Sequence, residues 1–319
     1  MKQTNEHELP KWLVEVINNT NNEYEKGEET DFSVTQLIKP PQIEVLEKRH
    51  PDTLEEDISG LLDSFIGTAV HNQIENSLQP DNDKAYMIEK RFYRPIRVRG
   101  RDYIISAQND LYCLSKQGSR WPSTSLWDAK VTSVYKLKDG SSWEWEFQLN
   151  VQRWLIESDK SWYVEGGERI YGPHGKVDSL NIAGFAKDWR RGESKRSEDY
   201  PDVKFVPVHI PFWSDADVEA TLEERIIEKL EAEKGNVRPC SPEERWATPT
   251  KYAHMRTGRK SAVALYENED DAKTAVKDDP RGYVEIRPGA NNRCEMGYCP
   301  VASVCNQFKL IQEGKWRDS

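Results

Sequence analysis

The sequence predicts an α/β fold, and three observations predict it. Residues 87–98 and 103–114 are rich in aromatic and β-branched side chains, and 87–98 alternates with a period of two, which marks strands. Stretches with apolar residues at helical spacing flank them, around 61–77 and 142–158. Short apolar runs at 125–131, 180–185 and 204–210 read as further strands. The order helix, three strands, helix, strand is that of a sheet flanked by helices.

Taken in order, Leu9, Trp12, Leu13, Val16 and Ile17 share a helical spacing near the N-terminus. Pro40-Pro41 marks a break, and 43–48 and 54–62 read as helical. The stripe Leu61, Phe65, Val70 and Ile74 runs on through Ser77. It places His71 and Glu75 one turn apart on one helix face. Arg99-Gly100-Arg101-Asp102 suits a tight turn between the first two strands. Cys113 sits in the apolar run Leu111-Tyr-Cys-Leu114 and reads as a buried strand residue. Phe147, Val151, Trp154 and Leu155 give the helix at 142–158 its apolar positions. Residues 218–234 form a charged amphipathic helix with Leu222, Ile226, Ile227 and Leu230 on one face. From Gly235 onward the texture is one of loops, prolines and cysteines.

The chain has 319 residues, which fits one large domain or a core plus a smaller one. With 36% hydrophobic residues, among them 11 Trp and 13 Tyr, it can bury a sizeable core and is not disordered by composition. No stretch approaches the roughly 18 apolar residues of a membrane span. The first residues lack the apolar run of a signal peptide, so a cytoplasmic protein without a membrane partner is expected. The net charge of −10 counts against a uniformly basic nucleic-acid binder. Distribution matters more than the sum. Acidic residues concentrate at 215–233 and 267–279, basic ones at 90–101, 187–196 and 251–260.

Asp128 and Lys130 lie at i and i+2 in the otherwise apolar segment Leu126-Trp127-Asp128-Ala129-Lys130-Val131. A strand projects both from the same face. Burying them there is costly unless they pair or bind something. Asp110 closes the run Ile105-Ser-Ala-Gln-Asn-Asp110. Metal-assisted phosphodiester cleavage needs hard ligands and a group that stabilises charge on the phosphorus oxygens. Carboxylates suit Mg²⁺ and Mn²⁺, and imidazole is acceptable to Mn²⁺.

These residues carry a resemblance. The set is similar to the PD-(D/E)XK nuclease superfamily in its RecB-like branch, nearest to phage-type and CRISPR-associated RecB-like exonucleases with an iron–sulfur cluster. Gly67-x-x-x-His71-x-x-x-Glu75 resembles the helix that supplies a histidine ligand. The segment ending at Asp110 resembles the strand with the first metal aspartate, and Asp128-Ala129-Lys130 the D-x-K. Gln148-Leu-Asn-Val-Gln152 resembles the Q-x-x-x-Y helix, with Gln152 standing where the family has tyrosine. Ala107 stands where a glycine often precedes the aspartate.

The resemblance implies a restriction-endonuclease-like core with a central mixed sheet flanked by helices, at about 59–235. A helical region would precede it at 1–58, and a cysteine-rich region follow at 236–319. It implies that His71, Asp110, Asp128 and the Ala129 carbonyl ligate Mg²⁺ or Mn²⁺. Lys130 would orient or activate the attacking water, Gln148 would support the site and contact DNA, and Glu75 would stand behind the ligands. The expected activity is a deoxyribonuclease, an exonuclease acting on single- or double-stranded DNA ends in phage or bacterial recombination or replication. A recombination or replication protein is then a natural partner, an oligomer an option, and the host cytoplasm the location for a phage-encoded chain. Two other classes stand beside this one: a DNA-binding or assembly subunit with an idle nuclease site, and a zinc-organised interaction protein.

Four of the five cysteines fall in the last 80 residues: Cys240, Cys294, Cys299 and Cys305. Such grouping in a reducing compartment favours a metal or cluster site over disulfides. Four thiolates suit tetrahedral Zn²⁺ or a [4Fe–4S] cluster. One distant cysteine plus a compact C-terminal trio resembles the iron–sulfur staple of the RecB-like relatives. In those the distant cysteine precedes the core, whereas here Cys240 follows it.

Candidate nucleic-acid contacts come from the basic segments. Arg97, Arg99 and Arg101 alternate beside the turn, and Trp189, Arg190 and Arg191 join an aromatic to cations, a pattern suited to gripping a single strand. Arg245 and Trp246 follow Cys240 and are expected to line a DNA entrance with the basic run 251–260.

Overall fold

The computed structural model describes residues 2–21, 29–78, 86–114 and 123–316. The chain divides into two units: residues 3–39 with 56–231, and residues 1–2 with 40–55 and 232–319. Among the described residues, no helix is long and apolar enough to cross a membrane.

The larger unit is α/β, with a mixed central sheet and helices packed on it. In chain order its strands are β1 (Phe32–Ser33), β2 (Tyr86–Val98), β3 (Arg101–Cys113), β4 (Ser125–Thr132), β5 (Trp162–Glu165), β6 (Glu168–Tyr171), β7 (Ser179–Ala186) and β8 (Phe205–Ile210). Across the sheet the order is β8-β7-β4-β3-β2-β5-β6, with β1 paired to β3. β4 and β7 run parallel, as do β1 and β3, and the other neighbours are antiparallel. β2 and β3 form the long hairpin that the Arg99-Gly100 turn predicts, and both turn residues take positive φ. Cys113 is buried, as expected for a strand residue.

The sheet has one irregularity. β4 pairs with β3 only at Leu111–Trp127 through Cys113–Ser125. β1 pairs with β3 only at Phe32–Ile105 and Ser33–Ser106. Between these two short ladders the edge of β3 from Ala107 to Asp110 has no strand beside it among the described residues, so the sheet opens there.

Helix α1 (Leu62–Ser77) packs on β4. Helix α2 (Trp143–Ile156) is buried almost all round, with Phe147, Leu149, Val151, Trp154, Leu155 and Ile156 in the core. Its polar positions survive burial because they find partners. Asn150 donates to the Glu146 and Pro211 carbonyls, and Arg153 donates to Glu157 and Asp215. Helix α3 (Asp215–Glu233) buries Val218, Leu222 and Ile226. From its other turns Arg225 donates to the Leu37 carbonyl and Lys229 to the Lys39 carbonyl. Those cations satisfy carbonyls left over where the short helix Val34–Ile38 ends. Gly184 on β7 is needed for space: a Cβ there would stand 2.6 Å from the Val206 carbonyl oxygen.

The structure corrects two expectations. Residues 54–62 are not one helix: Glu55–Asp57 is extended and Ile58–Leu61 is a 3₁₀ turn capped by Asp57, whose side chain accepts from the Ser59 N–H. The segment after Gly235 is not only loops. Lys251–Arg256 is the middle strand of an antiparallel sheet, with Ala264–Tyr266 on one side and Gly282–Arg287 on the other. The helix Glu269–Val276 packs against that sheet and is capped by Asn268. The smaller unit also takes in the helix Pro41–Arg49, from the stretch 1–58 read in the sequence as an N-terminal helical region. Ile43 and Leu54 bury against Val301 and Cys299, so the cysteine-rich segment shares an apolar cluster with residues distant in sequence.

Candidate metal centre

The opening in the sheet lies in the larger unit, in a cleft of about 630 Å³. His71 and Glu75 from α1, Asp110 from β3, Asp128 and Lys130 from β4 and Gln148 from α2 all line it. The motif residues are thus brought to one place from four separate elements.

The parted ladder explains part of the geometry. With β3 no longer beside it, Ala129 has a free N–H and a free carbonyl on that side. The Asp110 carboxylate accepts from the Ala129 N–H at 2.6 Å. The His71 Nε2 lies 3.2 Å from the Ala129 carbonyl oxygen. Two side chains therefore serve the backbone groups that a longer ladder would have paired.

Asp128 is 1% exposed. Its Oδ2 stands 2.6 Å from Lys130 Nζ, and its Oδ1 accepts from Gln148 Nε2 at 2.6 Å. Gln148 Oε1 in turn accepts from Lys130 at 3.4 Å. The Asp128–Lys130 contact is a close ion pair that occupies Oδ2. Burial pushes the Asp128 carboxyl up to about 6, against the pull of the Lys130 ammonium. For Lys130, burial works against the charge, but Asp128 and Asp110 outweigh it and raise the ammonium above its ordinary range.

His71 Nδ1 faces two carboxylates, Asp110 Oδ2 at 3.4 Å and Glu89 Oε1 at 3.7 Å. The contacts with Asp110 first, then Glu89, push its imidazole up to about 10. Among the described residues, the one group of three His, Cys, Asp or Glu side chains with ligand atoms all within 4.8 Å of one another is His71, Glu89 and Asp110. Glu89 is the member that motif reading misses. It lies inside β2 at the register position opposite Asp110, between the pairs Ile88–Leu111 and Lys90–Asn109. Its φ of +50° is rare for a non-glycine residue and interrupts the ladder locally. A carboxylate within a strand was its only signal in the sequence.

Glu75 is exposed at the edge of the cleft. Gly67 has open space where a Cβ would stand, so packing does not account for that glycine. Gln152 is 2% exposed, lines the cleft, and donates through Nε2 to the Gln108 carbonyl, while its Oε1 has no hydrogen-bond partner among the described residues.

The expected nucleic-acid contacts fare unevenly. Arg97 pairs with Asp102 and Arg99 with Glu231, both at the surface. Arg190 and Arg191 are exposed at the start of the short helix Arg191–Ser194. Trp189 is half-buried: one side of its ring packs on the core and its Nε1 donates to the Pro201 carbonyl. Arg245 is corrected. It is 3% exposed, turned inward to the Cys240 carbonyl and the Asn291 side chain, and cannot line an entrance.

In the smaller unit the four candidate thiols, Cys240, Cys294, Cys299 and Cys305, form no disulfide. Cys299 is buried beside Val301, with Cys240 packed on the same cluster. The Gln42 side chain donates to Cys305 Sγ at 3.1 Å and accepts from the Cys240 N–H at 2.9 Å. A hydrogen bond from Cys294 holds the Cys299 thiol down at about 6, and burial pushes Cys240 up to about 12. Among the described residues, no three of these sulfur atoms lie within 4.8 Å of one another.

No protein-family model matches the sequence, and no curated protein matches it. Among solved structures, the chain is similar to the crystal structure of SSO0001, with a TM-score of 0.45 and 16% identity over 74% of this chain and 88% of that one.

Proposed function

We propose that the chain is a metal-dependent deoxyribonuclease of the RecB-like PD-(D/E)XK type, an exonuclease acting on DNA ends. The larger unit is then read as a restriction-endonuclease-like core. One observation carries the reading: His71, Asp110, Asp128 and Lys130 line a single cleft, at the point where the sheet opens.

The donor set fits a hard divalent cation. It offers imidazole and carboxylate, with ligand atoms of His71, Glu89 and Asp110 all within 4.8 Å of one another. Mg²⁺ or Mn²⁺ bound there would supply Lewis-acid stabilisation of charge on the phosphate oxygens. Asp128 holds the Lys130 ammonium beside the cleft, where it neutralises the scissile phosphate and orients the attacking water. Gln148 bonds both and fixes their spacing. Arg190 and Arg191, both exposed, are read as contacts to the DNA backbone. A role in phage or bacterial recombination or replication, in the cytoplasm of the cell or host and beside a protein of that machinery, belongs to the same reading.

The four thiols suit a [4Fe–4S] cluster as a structural staple. A single tetrahedral zinc with bonds of about 2.3 Å needs its sulfurs within about 4 Å of one another. Among the described residues, no three of these sulfurs meet that spacing, whereas a cube bonds each thiolate to a different iron. Protein purified without oxygen is expected to be brown and to carry about four irons per chain. A colourless protein with one zinc would replace the cluster by a zinc site.

The activity is tested on end-labelled single- and double-stranded DNA with Mg²⁺, Mn²⁺ or EDTA, beside Asp110→Asn. Degradation with either metal, none in EDTA, and loss of roughly a hundredfold or more in the variant are expected. Folded protein that cleaves nothing with any metal would shift the reading to a DNA-binding assembly subunit.

A further inference from the structure

We propose that Glu89 is a ligand of the cleft's cation, which sits on His71 Nδ1, Glu89 and Asp110, while the Ala129 carbonyl orients His71 from behind. This rests on the metal-dependent reading and departs from the ligand set that the motifs alone imply.

The imidazole has two different sides. Its Nε2 is within hydrogen-bond reach of the Ala129 carbonyl oxygen, which can only accept, so Nε2 carries the proton. Metal-bound histidines characteristically donate their second ring N–H in this way, which fixes the tautomer. In the metal-free chain Nδ1 faces Asp110 Oδ2 and Glu89 Oε1 as the imidazolium N–H, and a cation takes the place of that proton. The imidazole nitrogen and the two carboxylates then converge on one positive charge. The spacings of 3.4 and 3.7 Å approach what an ion needs. Neighbouring donors on an octahedral ion with bonds of about 2.1 Å stand about 3 Å apart, so a small contraction closes the site.

Glu89 is held for the purpose. Its Oε2 accepts from Gln108 Nε2 at 2.7 Å, and Gln108 Oε1 accepts from Arg91 at 2.7 Å. That relay fixes one carboxylate oxygen and leaves Oε1 for the ion. The Gln108 carbonyl also anchors Gln152, whose Oε1 has no partner among the described residues though the residue is 2% exposed and lines the same cleft. A buried amide oxygen without a donor is a position for a water of the ion's shell. The ion therefore lies toward β2, beside Asp110, and Asp128 remains with Lys130 and Gln148.

The test is Mn²⁺ binding to the full chain by titration calorimetry, comparing wild type with Glu89→Gln, Glu89→Asp, Gln108→Leu and Asp110→Asn. Glu89→Gln should weaken Mn²⁺ at least about tenfold, Glu89→Asp less, and Gln108→Leu by a smaller factor, as loss of an orienting partner does. Thermal melts of the metal-free proteins report folding. Should Glu89→Gln fail to fold, Gln108→Leu decides. Wild-type affinity in Glu89→Gln, or in Gln108→Leu where that variant decides, together with loss in Asp110→Asn, overturns the role of Glu89 and leaves the nuclease reading standing. A wild-type chain that binds no Mn²⁺ overturns both.

Discussion

Lys130→Ala should lower single-turnover DNA cleavage by about a hundredfold to ten-thousandfold, the range lost when a positioned group that assists the transition state is removed. Among the described residues, the Lys130 ammonium is the one cation touching the Asp128 carboxylate, and it reaches the cleft while Asp128 is all but sealed from solvent. The neighbouring Gln148 cannot replace it, because its amide is already committed to Asp128 Oδ1. The variant also leaves Asp128 buried without its counter-charge, so its carboxyl should take up a proton more readily still. Mn²⁺ affinity should change little, since the proposed ion sits on His71, Glu89 and Asp110. Cleavage rates measured at saturating enzyme, beside Mn²⁺ titrations, separate the two effects. A rate within a few-fold of wild type would remove Lys130 from the chemistry.

Trp154→Ala should cost about 3–5 kcal/mol of stability, the usual penalty for emptying a large aromatic site in a core. Trp154 is 1% exposed, its Nε1 donates to Glu219, and the Arg94 guanidinium lies 3.6 Å over its ring. Truncation removes the ring and also the surface on which Arg94 is packed. Arg94 keeps its pairing with Glu219 and its bond to the Trp154 carbonyl, so the loss is mainly one of packing. For a unit of this size the melting temperature should fall by roughly 6–20 °C. Trp154 does not line the cleft, so a melt that moves by only a degree or two would show that the ring contributes little to the core.

The alternation and helical spacing that made strands and helices legible worked best where apolar runs were long. β2, β3 and α2 belong to that class, and the spacing of His71, Asp110, Asp128, Lys130 and Gln148 along the chain was readable as a set. Glu89 was not, because a carboxylate inside an alternating strand looks like a solvent-facing residue, and no glycine advertises its positive φ. The three strands after Lys251 are only three to six residues long and sit among charges and prolines, which hides their period. Nor could local pattern tell that Ile43 and Leu54 share an apolar cluster with Cys299, a contact across some 250 residues. Arg245 misled for a related reason: an arginine's burial depends on acceptors far along the chain, here the Asn291 side chain.

The parted ladder between β3 and β4 has a consequence for how such a chain ages under selection. Asp110 and His71 stitch the gap by serving the N–H and carbonyl of Ala129. A lineage that abandoned chemistry but kept the fold would still be penalised for losing them. Their retention thus records the upkeep of architecture as much as the upkeep of a reaction. Lys130 differs, because its ammonium is held by the side chains of Asp128 and Gln148. Its loss would still strand the buried Asp128 carboxylate, so Lys130 too is tied to the fold, through one side chain rather than through the backbone.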